Sequence, residues 1–207
     1  DSKTEIIFPT NGQWEGLLCS IWSKRYKAKL IISGQSGPGF DDRLNLWFFP
    51  NKFIALTNHQ ADWAKLANPF VRTEVIPNGV DVSRFKKGVP GLKIDLPRPI
   101  ILNVGAFDLW KRQYLAIKAV SKLDKGSLVL VGKGKSEKYY RELGEKYLPG
   151  RFKIMSFSHD KMPLVYSACD IFTYPTVPWE SFGIAMVEAM ASGLPVVVND
   201  DPIRREV

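Results

Sequence analysis

Short apolar runs alternate with stretches of helical spacing along the whole chain, and this rhythm restricts the fold more than any other feature. Glu5 to Pro9 (EIIFP), Lys29 to Ser33 (KLIIS), Phe53 to Thr57 (FIALT) and Thr73 to Ile76 (TEVI) read as strands. Between them, Gln13 to Tyr26, Asp42 to Phe49 and His59 to Ala67 read as helices, the first with apolar residues at the spacing of one helix face. Strand–helix alternation predicts a parallel sheet covered by helices, an α/β architecture.

From Pro77 to Pro99 the rhythm breaks. Pro77, Gly79, Gly88, Pro90, Gly91, Pro97 and Pro99 crowd this interval, which reads as an inter-domain connection. The alternation then restarts. Strands are expected at Ile100 to Val104, Ser127 to Val131, Phe152 to Met155, Asp170 to Tyr174 and Pro195 to Val198. Helices are expected at Lys111 to Leu123, Ser136 to Tyr147, Lys161 to Ala168 and Gly183 to Ser192, with Pro163 in a first turn, where proline is tolerated.

Bulk properties narrow the partners. Hydrophobic residues at 45% and charged residues at 24% describe an ordinary globular chain. The net charge of +8 suits an anionic partner such as a nucleoside diphosphate, a nucleic acid or an anionic membrane surface, or is simply a basic exterior. The two cysteines, Cys19 and Cys169, form no zinc or disulfide pattern and suit a reducing compartment. No run approaches the ~20 apolar residues of a spanning helix. The chain opens at Asp1 without a Met and closes on Pro202 to Val207, which reads like the start of a helix, so both ends look cut.

Ligands of open parallel sheets bind at the carboxyl ends of the strands, and three such ends stand out. At Gly105 to Lys111 a glycine permits a close turn and a lysine can meet a phosphate, although a lysine opening a helix is usually a solvated surface group. Gly132-Lys133-Gly134-Lys135 lets a ligand approach the backbone, or is an ordinary tight turn; it is not the full dinucleotide fingerprint. At the third, Pro175 leads through Glu180-Ser181-Phe182-Gly183 into a helix that carries Glu188. The N–H groups and dipole of that helix end would hold a diphosphate, and a carboxylate on either side could take hydroxyls of a sugar and a ribose. Spacing alone fits equally well an acidic residue placed for the helix dipole and a surface Glu further along.

The residues from Ala168 to Val198 closely resemble the donor-site segment of the family 4, or group 1, glycosyltransferases. The shared pattern is Pro175, then Glu180, Phe182-Gly183, then Glu188-Ala189-Met190-Ala191, then Gly193-Leu194-Pro195-Val196-Val197. Val75 to Asp81 with Phe85 resembles the family's domain junction, Val104-Gly105 through Lys111 its phosphate-binding turn, and Leu130 to Gly134 a further family segment. All occur in family order, so the resemblance covers residues 52–207, with 1–51 fitting less specifically.

The resemblance implies the GT-B fold: two Rossmann-like domains with parallel sheets, both incomplete here. Residues 1–84 would be the end of the first, acceptor-side domain, and 85–207 the second, donor-binding domain without its C-terminus. It implies transfer of a sugar, a hexose for preference, from a nucleoside diphosphate sugar, with retention of configuration. Lys111 would meet the diphosphate, Glu180 the sugar hydroxyls and Glu188 the ribose, with Lys111 and Glu180 as the catalytic pair. Gly105, Gly132, Ser181, Phe182 and Gly183 would complete the donor site. No metal or cofactor is implied, positive groups and the helix end stabilising the departing diphosphate. The acceptor would be a sugar, a polysaccharide or a lipid-linked sugar, with no nucleic acid as partner, and the location cytoplasmic. Leu46-Trp47-Phe48-Phe49 with Lys52 fits peripheral contact with the cytoplasmic membrane face, or packing of those aromatics in a core.

The family's arginine after the phosphate-loop glycine is here Ala106, leaving Arg112 or Lys133 to supply a cation. Neither His59 nor His159 matches the family's first-domain histidine. The family's opening glycine-rich strand–turn–helix and closing helices are not in the chain, which implies low activity for this span alone. A non-catalytic nucleotide-sugar-binding paralogue is the alternative. An NAD(P)-dependent oxidoreductase is disfavoured because no strand is followed by G-x-G-x-x-G.

Overall fold

The structure is a computed structural model that describes residues 4–9 and 12–207. Contacts divide it into two compact units. The first comprises Asp1–Asn78, Pro178–Phe182 and Asp201–Val207, and the second Gly79–Val177 and Gly183–Asp200.

The first unit is a four-stranded parallel sheet in chain order, β1 (Ile6–Ile7), β2 (Lys29–Ser33), β3 (Lys52–Ala55) and β4 (Thr73–Val75). Helices α1 (Trp14–Tyr26), α2 (Phe40–Trp47) and α3 (Asn58–Ala67) connect the strands. Leu30, Ile32, Leu46, Phe53, Ala55, Ala61, Ala64 and Val71 form its core. The expected strand Glu5 to Pro9 shrinks to Ile6–Ile7, which finds ladder partners only at Lys29 and Leu30. The helix expected from Asp42 begins at Phe40 and ends at Trp47, because Phe48 caps it and Phe49 turns to a φ of 53°.

Helix α1 is inverted in its amphipathicity. Its inward positions are the small residues Gly16, Ser20 and Ser23, while Trp14, Leu18, Ile21 and Trp22 are more than half exposed. Ser20 Oγ donates to the carbonyl of Phe48 at 2.8 Å and Ser23 Oγ to that of Ser20 at 2.8 Å, so the buried hydroxyls are satisfied.

The last helix, α8 (Pro202–Glu206), packs within the first unit against α3. The carboxylate of Glu206 accepts from Asn58 N at 2.6 Å and His59 N at 2.8 Å, capping α3 beside Thr57, whose Oγ1 accepts from Gln60 N at 3.1 Å. Asp201 in turn caps α8, accepting from Arg204 N at 3.0 Å.

The second unit is a five-stranded parallel sheet in the order β7-β6-β5-β8-β9. Its strands are β5 (Ile100–Val104), β6 (Ser127–Val131), β7 (Phe152–Met155), β8 (Ile171–Tyr174) and β9 (Val196–Val198). Helices α4 (Gln113–Val120), α5 (Glu137–Tyr147), α6 (Met162–Ser167) and α7 (Ile184–Ala191) alternate with them. All five residues of β6 are buried, as expected of a strand covered on both faces. Helix α4 buries Gln113, Ala116, Ile117 and Val120, one face at helical spacing. The helix expected from Lys111 starts two residues later. Leu109–Lys111 form a 3-10 turn, and Arg112 sits in the left-handed region at φ 52°, which breaks the helical path before Gln113.

Candidate functional site

The carboxyl ends of β5 and β8 mark the place where the second sheet reverses its order. The chain moves outward from β5 through β6 to β7, then returns to β8 and β9 on the other side. Ligands of such sheets bind at this point. Strand β5 pairs with β8 only at Ile101↔Ile171 and Leu102↔Phe172, whereas it stays paired with β6 to Val104↔Val131. Where the β5–β8 ladder ends, the buried side chain of Asn103 replaces it, Nδ2 donating to the carbonyl of Thr173 at 2.7 Å. The strands therefore part while a side chain holds them at a fixed separation.

The loop after β5 is anchored on all sides. Gly105 N donates to the carbonyl of Val131 at 3.0 Å and Phe107 N to that of Lys133 at 2.8 Å. The ring of Phe107 is fully buried in the core with Ile117, Leu128, Leu130 and Tyr140. Tyr140 donates from its hydroxyl to the carbonyl of Asp108 at 3.0 Å, and Gln113 Nε2 to that of Ala106 at 2.8 Å. Burial pushes the Tyr140 hydroxyl up to about 12, so it stays a donor at any physiological pH. Asp108 accepts from Trp110 N at 2.9 Å and so caps the turn that ends in Lys111.

Lys111 is thereby held on a rigid turn. Its Nζ lies 3.5 Å from the hydroxyl of Tyr174 and 5.9 Å from the centre of that ring, and Tyr174 is the last residue of β8. The loop that follows β8 closes on the same turn. Val177 N and Thr176 Oγ1 both donate to the carbonyl of Trp110, at 3.2 and 3.4 Å. The loop after β6 is packed as closely, since a Cβ on Gly132 would collide with the carbonyl oxygen of Gly105. Gly132 thus has a packing reason to be glycine that is independent of any ligand. Lys133 is exposed, and Arg112 is the left-handed residue after Lys111.

Helix α7 begins beside Tyr174. Gly183 caps it with φ 87° and ψ 57°, and an added Cβ would lie 2.9 Å from the Tyr174 ring. A side chain is excluded there on both counts. The carbonyl of Gly183 accepts from Met186 N at 2.9 Å and Val187 N at 3.4 Å. The N–H groups of Ile184 and Ala185 belong to the first turn, which has no intrahelical acceptors. Within the second unit, Gly105, Lys111, Gly132 and Gly183 therefore gather at one end of the sheet, with one cation and one helix amino terminus among them.

Glu188 lies further along α7 and is 6% exposed. Its Oε2 accepts from the hydroxyl of Tyr166 at 2.8 Å, and its Oε1 lies 3.0 Å from Nε2 of His159. Burial, and then the adjacent carboxylate, raise the Tyr166 hydroxyl above its ordinary range, so it remains a donor. Glu180, Ser181 and Phe182 group with the first unit. There the carbonyl of Glu180 accepts from Arg204 Nη1 at 3.1 Å, and Ser181 Oγ donates to the carbonyl of Gln35 at 2.7 Å. Ser181 and Phe182 are buried.

Asn103, Gln113, His159 and Tyr166 were not legible as site residues. Asn103 is the one polar residue of the expected strand Ile100 to Val104, and a polar residue in an otherwise apolar central strand is itself a signal. His159 follows β7 and so obeys the strand-end rule that singled out the other loops. The segment Leu46 to Phe49, read as a membrane contact or as aromatics packed in a core, divides: Leu46 is in the core and Phe48 packs against it, while Trp47 and Phe49 are about half exposed.

The sequence profile of the family described as "Glycosyl transferases group 1" matches residues 86–207. The phosphatidyl-myo-inositol mannosyltransferase of Mycolicibacterium smegmatis is 32% identical over 140 residues, covering 63% of this chain and 35% of that enzyme. The UDP-Gal:alpha-D-GlcNAc-diphosphoundecaprenol alpha-1,3-galactosyltransferase of Escherichia coli is 28% identical over 147 residues, covering 63% of this chain and 37% of that protein. The matched stretch thus spans little more than a third of these relatives. Among solved structures, Alr3699/HepE of Anabaena in complex with UDP and glucose superposes with a TM-score of 0.80 at 22% identity, over 98% of this chain and 61% of that one. Sucrose-phosphate synthase of Thermosynechococcus elongatus superposes with a TM-score of 0.78 at 22% identity, over 95% of this chain and 56% of the other. At these identities the structural likeness concerns the fold, that of the GT-B proteins: α/β, Rossmann-like, with two parallel sheets.

Proposed function

The chain belongs to the group 1 glycosyl transferases, and from that premise we propose that the whole protein moves a hexose from a nucleoside diphosphate sugar to an acceptor, with retention at the anomeric carbon. The observation that carries this reading is the placing of both Lys111 and the amino end of α7 beside Tyr174 at the sheet's reversal point. A diphosphate seated there would meet a fixed ammonium and the N–H groups of Ile184 and Ala185. Both would stabilise the negative charge that grows on the diphosphate as its bond to the sugar breaks, without a metal.

In this reading Gly105 and Gly132 shape the loops that bring the phosphates near the backbone. Glu188 takes the ribose hydroxyls. Glu180 takes the sugar hydroxyls, with Ser181 and Phe182 holding its strand of chain. Residues 1–84 serve the acceptor and 85–207 the donor.

The mycobacterial relative is named for transfer to phosphatidyl-myo-inositol, and the E. coli relative for transfer to a diphosphoundecaprenol-linked sugar. They support a lipid-linked acceptor, with a polysaccharide as the other choice, met at a cytoplasmic membrane face. The exposed Trp14, Leu18, Ile21 and Trp22 of α1, followed by Lys24, Arg25 and Lys27, favour that membrane contact. No helix among the described residues is long and apolar enough to cross a membrane.

The test is a ligand-observed NMR screen of the whole protein against nucleoside diphosphate sugars and NAD, followed by turnover of Lys111→Ala with the donor that binds. A nucleoside diphosphate sugar binds, and the variant loses roughly 10²-fold or more in kcat, as for other removed charge-stabilising groups. Response to NAD alone, or full turnover by the variant, overturns the reading.

A further inference from the structure

Glu188 has three side-chain torsions to fix before its carboxylate can serve a ligand, and it sits where a bare charge is costly. Among the described residues it has two side-chain partners, one for each oxygen: Tyr166 on Oε2 at 2.8 Å and His159 on Oε1 at 3.0 Å. The pair meets the carboxylate from two different elements, α6 and the 3-10 turn His159–Lys161 after β7. Each carboxylate oxygen has two acceptor positions. One on each is therefore taken by the protein and one on each is left, which matches the two O–H donors of a vicinal diol. His159 must carry its proton on Nε2 to donate to a carboxylate, a tautomer set by that partner.

The two donors are unlike. Tyr166 is fully buried and its hydroxyl also lies 3.2 Å from the carbonyl of Ala185. The His159 side chain is 63% exposed, against 8% for Glu188. Its ring is nevertheless oriented: the Phe85 ring lies 5.6 Å from it and 5.9 Å from that of Tyr166. Arg84 Nη2 holds the turn itself, 3.4 Å from the His159 carbonyl and 3.2 Å from Asp160 Oδ1. An exposed ring held by a buried phenylalanine and a neighbouring arginine contributes little to a core. Among the described residues, its one polar contact by side chain is to Glu188.

We infer that His159 is a positioning residue: with Tyr166 it clamps the Glu188 carboxylate in the orientation that receives both ribose hydroxyls of the donor nucleotide. This rests on the reading of Glu188 as the ribose-binding group. Without His159, Oε1 loses its fixed donor, and the carboxylate turns about its last torsion, the softest of the three. Sugar and diphosphate contacts lie elsewhere, so the loss is confined to recognition of the ribose.

The experiment is calorimetric titration of the whole protein with UDP and GDP, each beside its 2′,3′-dideoxy counterpart. Two hydrogen bonds to a carboxylate predict a preference of the wild type for the ribonucleotide of about tenfold or more. His159→Ala reduces that preference to below about threefold, and leaves the affinity for inorganic pyrophosphate unchanged. His159→Gln, whose amide can donate to the same oxygen, restores it. Tyr166→Phe lowers it as well, and the donor KM of His159→Ala rises by more than its kcat falls. If His159→Ala keeps the full preference while Glu188→Gln abolishes it, the positioning role is wrong and the ribose assignment stands. If the wild type shows no preference, or Glu188→Gln keeps it, the ribose assignment itself is wrong and this inference goes with it.

Discussion

A buried carboxylate in the first turn of α2 shows how much a single residue can carry. Asp42 is 1% exposed; its Oδ2 accepts from Gly37 N at 3.0 Å and Gln60 Nε2 at 2.9 Å, and its Oδ1 from Asn45 Nδ2 at 3.3 Å. Burial outweighs these bonds and pushes its carboxyl from 3.8 up to about 6. Between those two values the folded chain holds a proton that the unfolded chain has released. Through this group stability therefore rises as pH falls from 7 to 5, by on the order of 1 kcal/mol, and is level above neutrality. Asp42→Asn is expected to remove that difference, read as the urea midpoint of each protein at the two pH values. Gly183 makes a second prediction at this scale. Gly183→Ala places a side chain at φ 87° and against the Tyr174 ring, so it should lose about 1–3 kcal/mol of stability. The loss of nucleotide affinity measured by titration should exceed that of Met190→Ala, at an exposed position of α7. At this scale the sequence disclosed residue types but few partners. Glu188 was readable from its neighbours along the chain, whereas His159 stands 29 positions away and joins it only through the fold.

Elements were largely legible, because burial on both faces of a parallel sheet writes itself as apolar runs. The strand Ser127 to Val131 and the helices around Glu137 to Tyr147 and Ile184 to Ala191 match expectation to within a residue or so. What escaped were places where a local exception decides geometry. Arg112 at φ 52° divides one expected helix into a turn and α4, and nothing in its residue type announces a left-handed conformation. The helical spacing of α1 revealed a helix but not its orientation, since small inward residues and large outward ones carry the same period. Asn103 supplies the third prediction. Asn103→Ala removes the donor to Thr173 and leaves a half-buried carbonyl without it, costing about 1–2 kcal/mol by urea unfolding. Asn103→Asp should cost at least as much, because it turns a donor into a buried charge beside a carbonyl.

For the molecule as a whole, the net charge of +8 and the outward apolar residues of α1 belong together. Binding to a charged bilayer by such a surface has an electrostatic part that salt weakens and an apolar part that salt leaves in place. The whole protein should cosediment with vesicles containing phosphatidylglycerol at low ionic strength and partly dissociate near 0.5 M salt. Trp14→Ser with Trp22→Ser should weaken binding at both salt concentrations. Equal binding to neutral vesicles would remove the charge from the account, and no effect of the double variant would remove α1.

The cap that Glu206 places on α3 has a consequence in time. The acceptor and the amide of Asn58 stand 148 positions apart in the chain. At about 5–20 residues per second, a ribosome needs roughly 7 to 30 seconds to make the stretch between them. Throughout that interval the third helix lacks the carboxylate that caps it. The first unit to be translated is thus completed only after the second has been made, and its maturation is clocked by the appearance of a glutamate encoded beyond its neighbour.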